Sequence, residues 1–205
     1  MRNIYVVAHA QSMHHVEKKS GGWYDTSLSE LGRTQAEKAG KYLKSIIESD
    51  VKIVSSDLKR AAETAEIIAG ILGGTVSLDK GFREMSYGDA EGKPVEWIGE
   101  GNFSIPPDDD RLDHRVFKGS ESRREVGARV TDALNRALDQ NSDLVIVTHG
   151  FATTFLILAW LKVPVEHMGY GNFPTRPGCV SHLQEDDDFR NRGIRFLCYT
   201  GHLEV

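Results

Sequence analysis

Three positions far apart in the chain hold side chains suited to handling a phosphate group: His9, Arg60 and His149. A neutral imidazole can attack phosphorus and hold it as a phosphohistidine, while a second imidazole and a guanidinium neutralise the equatorial oxygens of the transition state. The reaction also needs a carboxylic acid to protonate the leaving oxygen and later take a proton from water. Glu84, in Arg83-Glu84-Met85-Ser86-Tyr87-Gly88, is the best-placed candidate, and by spacing alone Glu91 is nearly as good. Taken singly, either histidine reads as structural or surface. What joins them is where they fall along the chain.

Each lies just past an apolar run. Residues 4–8 are rich in β-branched side chains, as a strand buried on both faces would be, and end at His9. A second run, 51–54, ends at Ser55-Ser56, with Arg60 in the first turn of a helix expected over 57–72. That helix places Leu58, Ala61, Ala65 and Ile68 on one face and stops at Gly73-Gly74. The clearest buried strand, 144–148, leads into His149-Gly150 and an apolar helix through Leu161. Ser29 can cap a helix bearing Leu31, Ala39, Leu43, Ile46 and Ile47, and Ser122-Arg123-Arg124-Glu125 is a capping box opening a helix striped by Val126, Val130, Leu134 and Leu138. Residues 75–78, 180–183 and 194–199 suit further strands, with the acidic run 186–188 as a solvated loop between the last two. This alternation predicts an α/β fold, a three-layer α/β/α sandwich around a mostly parallel sheet. Ligands bind beyond the carboxyl ends of such strands, so all three residues should share one rim. Residues 80–120, with Pro106-Pro107 and the acidic run 108–110, lack periodicity and read as a lid or insertion within a single domain spanning 1–205. Gly169–173, reading GYGNF, lacks the third glycine and helix start of a phosphate loop and reads as a turn.

The composition bounds the partners. With 25 Lys+Arg against 30 Asp+Glu the formal charge is −5, which argues against a general nucleic-acid or anionic-membrane binder but leaves room for one positive pocket. At 40% hydrophobic and 27% charged, with mean hydropathy −0.37, the chain reads as globular rather than disordered. Cys179 and Cys198 suit neither a disulfide framework nor a zinc knuckle and fit a reducing compartment. No stretch approaches the roughly 18 apolar residues of a membrane span. The expectation is a cytoplasmic protein with a small phosphorylated substrate as its partner, without nucleic acid or membrane; a homodimer is compatible with it.

The residues resemble a family, the phosphoglycerate-mutase-like histidine phosphatases, over nearly the whole chain. His9 stands at the nucleophile position of its opening Arg-His-Gly motif. Gly22-Trp23-Tyr24-Asp25 with Leu28-Ser29-Glu30-Leu31-Gly32, Ser55-Ser56-Asp57-Leu58-Lys59-Arg60-Ala61 with Thr64-Ala65, Glu84 with Tyr87-Gly88 and Glu91-Gly92, Glu121-Ser122, and Thr148-His149-Gly150 follow in the family's order. The resemblance implies that His9 is the phosphorylated nucleophile, Arg60 and His149 are phosphate ligands, and Glu84 is the proton donor. It implies neither cofactor nor metal. Phosphate or substrate contacts are expected from Arg60, His15, Gln11, Lys19, Gly22 and Tyr87.

The opening motif departs from the family at its centre. Ala8 and Ala10 flank His9 where arginine and glycine are usual, and His15 replaces an asparagine. A lost charge-assisted phosphate contact costs about 1.5–3 kcal/mol per hydrogen bond unless replaced. The missing cation should also let His9 hold a proton more readily, and a protonated imidazole cannot attack. Either His14, His15, Lys18 or Lys19 restores the charge in a working phosphatase, or the pocket binds phosphorylated ligands with impaired turnover. A reading of His9, His14 and His15 as metal ligands fits no standard spacing. Tyr24 and Tyr87 resemble the mutase branch, whereas a short irregular segment offering only Arg111 and Arg115 as further anion contacts favours hydrolysis of a phosphomonoester over phosphoglycerate-mutase-type transfer.

Overall fold

A computed structural model of the chain describes residues 1–138 and 143–204. At its centre is a sheet built from β1 (Arg2–Ala8), β2 (Val51–Ser55), β3 (Val76–Leu78), β4 (Asp143–Thr148), β5 (Val180–Glu185) and β6 (Arg192–Tyr199), in the order β3-β2-β4-β1-β5-β6. The first four run parallel; β5 and β6 close one edge antiparallel. Among the described residues the α-helices are α1 (Met13–Val16), α2 (Glu30–Ile46), α3 (Lys59–Leu72), α4 (Val95–Gly99), α5 (Arg123–Ala137) and α6 (Gly150–Trp160).

The strands are apolar on both faces because both faces are covered. Tyr5, Val7, Ile53, Val145 and Val147 pack on Ala39 and Leu43 of α2 and Ala61, Ala65 and Ile68 of α3. Their neighbours Ile4, Val6, Val54, Leu144 and Ile146 pack on Val126, Val130 and Leu134 of α5 and Phe155 and Leu156 of α6. The period-two alternation of side chains thus divides the core into two layers, giving the three-layer α/β/α arrangement. Ser29 caps α2 by accepting the Gly32 N–H at 3.0 Å, and Ser122 and Glu125 form the capping box of α5.

The short elements depart from the expectation. α1, α4 and 3-10 turns at Lys80–Phe82 and Gly88–Ala90 occupy stretches that show no periodicity, being too brief to display one. β5 and β6 each run two residues beyond the expected spans. Cys179 and Cys198 are distant in sequence, but the pairing of β5 with β6 brings the two free thiols close enough to interact. Among the described residues, no helix is long and apolar enough to cross a membrane.

Candidate active site

Parallel pairing sets the exits of β1, β2 and β4 side by side. The His9 N–H donates to the Thr148 carbonyl at 2.8 Å and the Ser56 N–H to the Val147 carbonyl at 3.0 Å, so the three loops leave the sheet in fixed register. His9 Nδ1 lies 2.8 Å from the Ala10 carbonyl oxygen. A carbonyl only accepts, so this contact assigns the proton to Nδ1 and leaves Nε2 unprotonated. Arg60 Nε donates to that nitrogen at 3.2 Å. Burial, reinforced by the Arg60 guanidinium and then by His15 and His14, holds His9 well below the ordinary imidazole value of 6.5. Burial and Arg60 thus hold His9 low even without an arginine at position 8. Ala10 needs no glycine: its backbone lies outside the left-handed region, and its N–H donates to Thr64 Oγ1 at 3.2 Å.

Arg60 is 1% exposed and heavily committed. Nη1 donates to the Tyr24 carbonyl at 2.9 Å and Nη2 to the Gly22 carbonyl at 2.7 Å. Gly22 has φ +58°, and a Cβ there would meet the Tyr87 nitrogen at 2.9 Å, so the loop that holds Arg60 requires glycine at this point. His149 caps α6, with its ring centroid 4.9 Å from that of His9. Its Nε2 is 2.8 Å from Ser56 Oγ, which already accepts the Leu58 N–H at 3.3 Å. Its other ring nitrogen, Nδ1, is buried with no partner among the described residues.

Glu84 is 8% exposed. Its Oε1 accepts the N–H groups of Met85 at 2.9 Å and Ala152 at 3.0 Å, and its Oε2 that of Phe151 at 3.0 Å. Burial raises its carboxyl above the usual range, outweighing those hydrogen bonds and the Arg60 charge. Burial thus moves the carboxyl up and the imidazole down, the directions that a proton donor beside an unprotonated nucleophile requires. Glu91 is excluded from that role: its Oε1 accepts from Ser86 Oγ at 2.8 Å and the Tyr87 N–H at 3.0 Å, and it does not line the cavity.

These groups meet at a cavity of about 320 Å³ lined by His9, His15, Lys19, Gly22, Arg60, Glu84 and Tyr87, among others. His149 does not line the cavity: it is fully buried, packed edge-on against the His9 ring. Gln11 is the expected contact that lies elsewhere: its side-chain oxygen accepts from Ser29 Oγ at 2.7 Å, at the start of α2. Of the expected replacement cations, the two imidazoles do not serve, whereas Lys19 lines the cavity. Burial pushes His14 down to about 3, with His15 and Arg60 adding to the effect, and burial and Arg60 lower His15 as well. Lys19 is ion-paired with Glu17 at 2.8 Å, and Lys18 does not line the cavity. His9 and His15 stack face to face with centroids 5.6 Å apart, and among the described residues no group of three or more His, Cys, Asp or Glu side chains is arranged to hold a metal ion.

Three arginines in or near the site were not legible as such. Arg176 lines the cavity from the loop before β5. Arg129 on α5 donates to the Glu84 carbonyl at 2.7 Å, joined there by Trp23 Nε1 at 2.7 Å, and fixes the backbone of the acid. Arg123 lines a second cavity of about 410 Å³ that adjoins the first through Tyr87, with Met85, Ile98, Val116, Phe117, Phe151 and Arg111. The other expected anion contact, Arg115, is instead paired with Glu125 at 2.6 Å and also donates to the Ser120 carbonyl.

Residues 4–192 match the family model of the histidine phosphatase superfamily, branch 1. The chain belongs to this superfamily. A solved mycobacterial glucosyl-3-phosphoglycerate phosphatase complexed with VO3 superposes with a TM-score of 0.80 at 28% identity, covering 98% of this chain and 100% of that one. Bacillus stearothermophilus YhfR gives a TM-score of 0.80 at 26% identity, with complete coverage of both. A probable phosphoglycerate mutase, GpmB of Yersinia pestis (strain Pestoides F), is 28% identical over 174 residues, 80% of this chain and 77% of that protein. Relatives of this histidine phosphatase superfamily member thus include proteins named as phosphatases and as mutases, both enzymes of phosphoryl transfer.

Proposed function

We propose that the chain is a phosphomonoesterase that hydrolyses a small phosphorylated metabolite through a phosphohistidine on His9. The observation that supports this reading best is the state of His9: Nδ1 is tied to the Ala10 carbonyl, and Nε2 is unprotonated at a cavity shared with Arg60 and Glu84. Nε2 attacks phosphorus, the bond from phosphorus to the alcohol oxygen breaks, and that oxygen leaves with the electron pair and takes the Glu84 proton. Water then gives a proton to the Glu84 carboxylate as its oxygen bonds to phosphorus. The bond to Nε2 breaks, the pair returns to nitrogen, and inorganic phosphate departs. The remaining Arg60 N–H groups, the unpartnered His149 ring nitrogen and the exposed edge of His15 are the contacts for the phosphoryl oxygens. His15 Nδ1 accepts the Ser12 N–H at 3.2 Å, which assigns its proton to Nε2, so a neutral imidazole can supply the donor an asparagine would. Hydrolysis of p-nitrophenyl phosphate by the wild-type protein, abolished in His9→Ala, tests the reading. Saturable binding of phosphate esters without turnover would contradict it.

The second cavity bears on the leaving alcohol. Arg123 is half-buried and lowered by burial and by the neighbouring Arg111, and neither arginine has a carboxylate partner among the described residues. Two unneutralised guanidiniums beside apolar walls suit an alcohol with its own anionic group. That observation also favours a second reading, mutase-type transfer on a phosphoglycerate. Mixing the protein with a phosphoglycerate separates the two, since hydrolysis releases inorganic phosphate and transfer yields an isomer. The cavity rim at Lys19, His15 and Arg176 is open to water, which favours hydrolysis.

A further inference from the structure

The pocket lacks the arginine that precedes the nucleophile, and among the described residues Arg176 is a cavity-lining guanidinium with no partner of its own. We propose that Arg176, reaching the pocket from the loop before β5, is the phosphate-binding cation that stands in for the side chain missing at Ala8. The proposal rests on the phosphatase reading of the same cavity.

The geometry is local and rigid. Ala8 lines the cavity, so the space opened by its short side chain is continuous with the phosphate site. Arg176-Pro177-Gly178-Cys179 forms a turn closed by the Cys179 N–H on the Arg176 carbonyl at 3.0 Å. Proline at its second position and glycine with φ +77° at its third are the type II arrangement. The Gly178 N–H donates to the Ala8 carbonyl at 3.0 Å and to the His9 carbonyl at 3.2 Å, and the Ala8 N–H donates to the Cys179 carbonyl at 3.2 Å. The backbone bearing Arg176 is therefore bonded directly to the residue whose side chain is missing and to the nucleophile itself.

The other cations are spoken for. Arg60 spends three of its five N–H groups on Gly22, Tyr24 and His9, and Lys19 is paired with Glu17. His14 and His15 are neutral. The exposed guanidinium of Arg176 has no hydrogen-bond or ion-pair partner among the described residues, yet lines the cavity beside His9. An arginine fork left unpaired at a phosphate pocket can make the bidentate contact that a lysine or imidazole cannot.

The test is a double-mutant cycle of Arg176→Ala and Ala8→Arg, with Arg176→Lys alongside. Two readouts are taken: kinetics on p-nitrophenyl phosphate and calorimetric binding of inorganic phosphate. Arg176→Ala should lower kcat/KM and phosphate affinity by about 10- to 100-fold, and Arg176→Lys should recover only part of the loss. Ala8→Arg should change the wild type little but restore most of the activity of Arg176→Ala, because one guanidinium suffices. Arg176 is exposed and outside the core, so a normal melting temperature for its variants is expected and checks the fold. Unchanged kinetics and binding in Arg176→Ala, with a strong gain in Ala8→Arg alone, would overturn the proposal while leaving the phosphatase reading intact. Wild-type protein that binds phosphate but does not hydrolyse the ester defeats the phosphatase reading alone, and the binding arm still decides Arg176. Wild-type protein that does neither defeats both.

Discussion

At the scale of single residues, the account depends on two groups shifted in opposite directions. Burial and Arg60 hold His9 well below 6.5, while burial raises the Glu84 carboxyl above its ordinary range. The dependence of kcat/KM on pH should follow from these signs. Activity falls as pH rises through the raised Glu84 value, because the leaving oxygen loses its proton source. The acid limb set by His9 lies well below 6.5, so the profile remains high into mildly acid solution. Glu84→Gln should lose about 10²- to 10⁴-fold in kcat on a poor leaving group and erase the alkaline limb, measured by steady-state kinetics across pH. An alkaline limb unchanged in that variant would assign the acid elsewhere. His9, Arg60, Glu84 and His149 were legible in the sequence because each stands at a strand exit or in a spaced motif. Glu84 could not be separated from Glu91 by spacing, since the distinction lies in which carboxylate reaches the N–H groups of Phe151 and Ala152. Arg176 was not legible, because its nearness to Ala8 depends on the antiparallel pairing of β5 with β1, across most of the chain's length.

At the scale of elements, the acid is held by a helix it does not belong to. Arg129 of α5 donates to the carbonyls of Gly81 at 3.0 Å, Arg83 at 2.7 Å and Glu84 at 2.7 Å, and to both oxygens of Glu121. It ties the 3-10 turn at Lys80–Phe82 and the acid after it to the face of α5. Arg129→Met removes these donors, leaving the Gly81 and Arg83 carbonyls and the Glu121 carboxylate short of them while Trp23 still holds the Glu84 carbonyl, so a loss of about 1–3 kcal/mol in stability is expected from urea unfolding. The same variant should lower kcat more than it raises KM, because Glu84 loses its alignment while the phosphate contacts persist. Equal kcat in the variant would make Arg129 a purely structural residue. Strands and long helices were readable because two periodicities, 2.0 and 3.6, run over enough residues to be seen. The segment 80–120 was readable only as irregular. Its order comes from single side chains such as Arg129, Arg83 on Asp57 at 2.6 Å, and Glu121, each bonding backbone or charge far away in sequence.

At the scale of the whole molecule, several imidazoles are stored neutral in the interior. Burial, with Arg60 as a further cause, depresses His9, His14 and His149, so between 6.5 and their folded values the unfolded chain binds more protons than the folded one. Stability is therefore full above 6.5 and declines as pH falls, for His14 down to about 3. Asp57, held low by Arg83, acts in the same direction at still lower pH, and Glu84, held high, acts in the opposite one. Urea midpoints taken across this range should fall with pH, and His14→Gln should flatten the slope. A slope unaffected by that change would contradict the burial assigned to His14. The net charge of −5 describes the average surface and says little about the one pocket where Arg60 and Arg176 face an anionic substrate.

The most direct measurement is to trap the phosphoenzyme. Mixing the protein with a radiolabelled phosphomonoester, denaturing it rapidly in alkali and mapping the peptides should place alkali-stable, acid-labile label on the peptide containing His9. Label should be absent from His9→Ala, which should also be inactive. Turnover that proceeds with label on another residue, or at an undiminished rate in His9→Ala, would contradict the account.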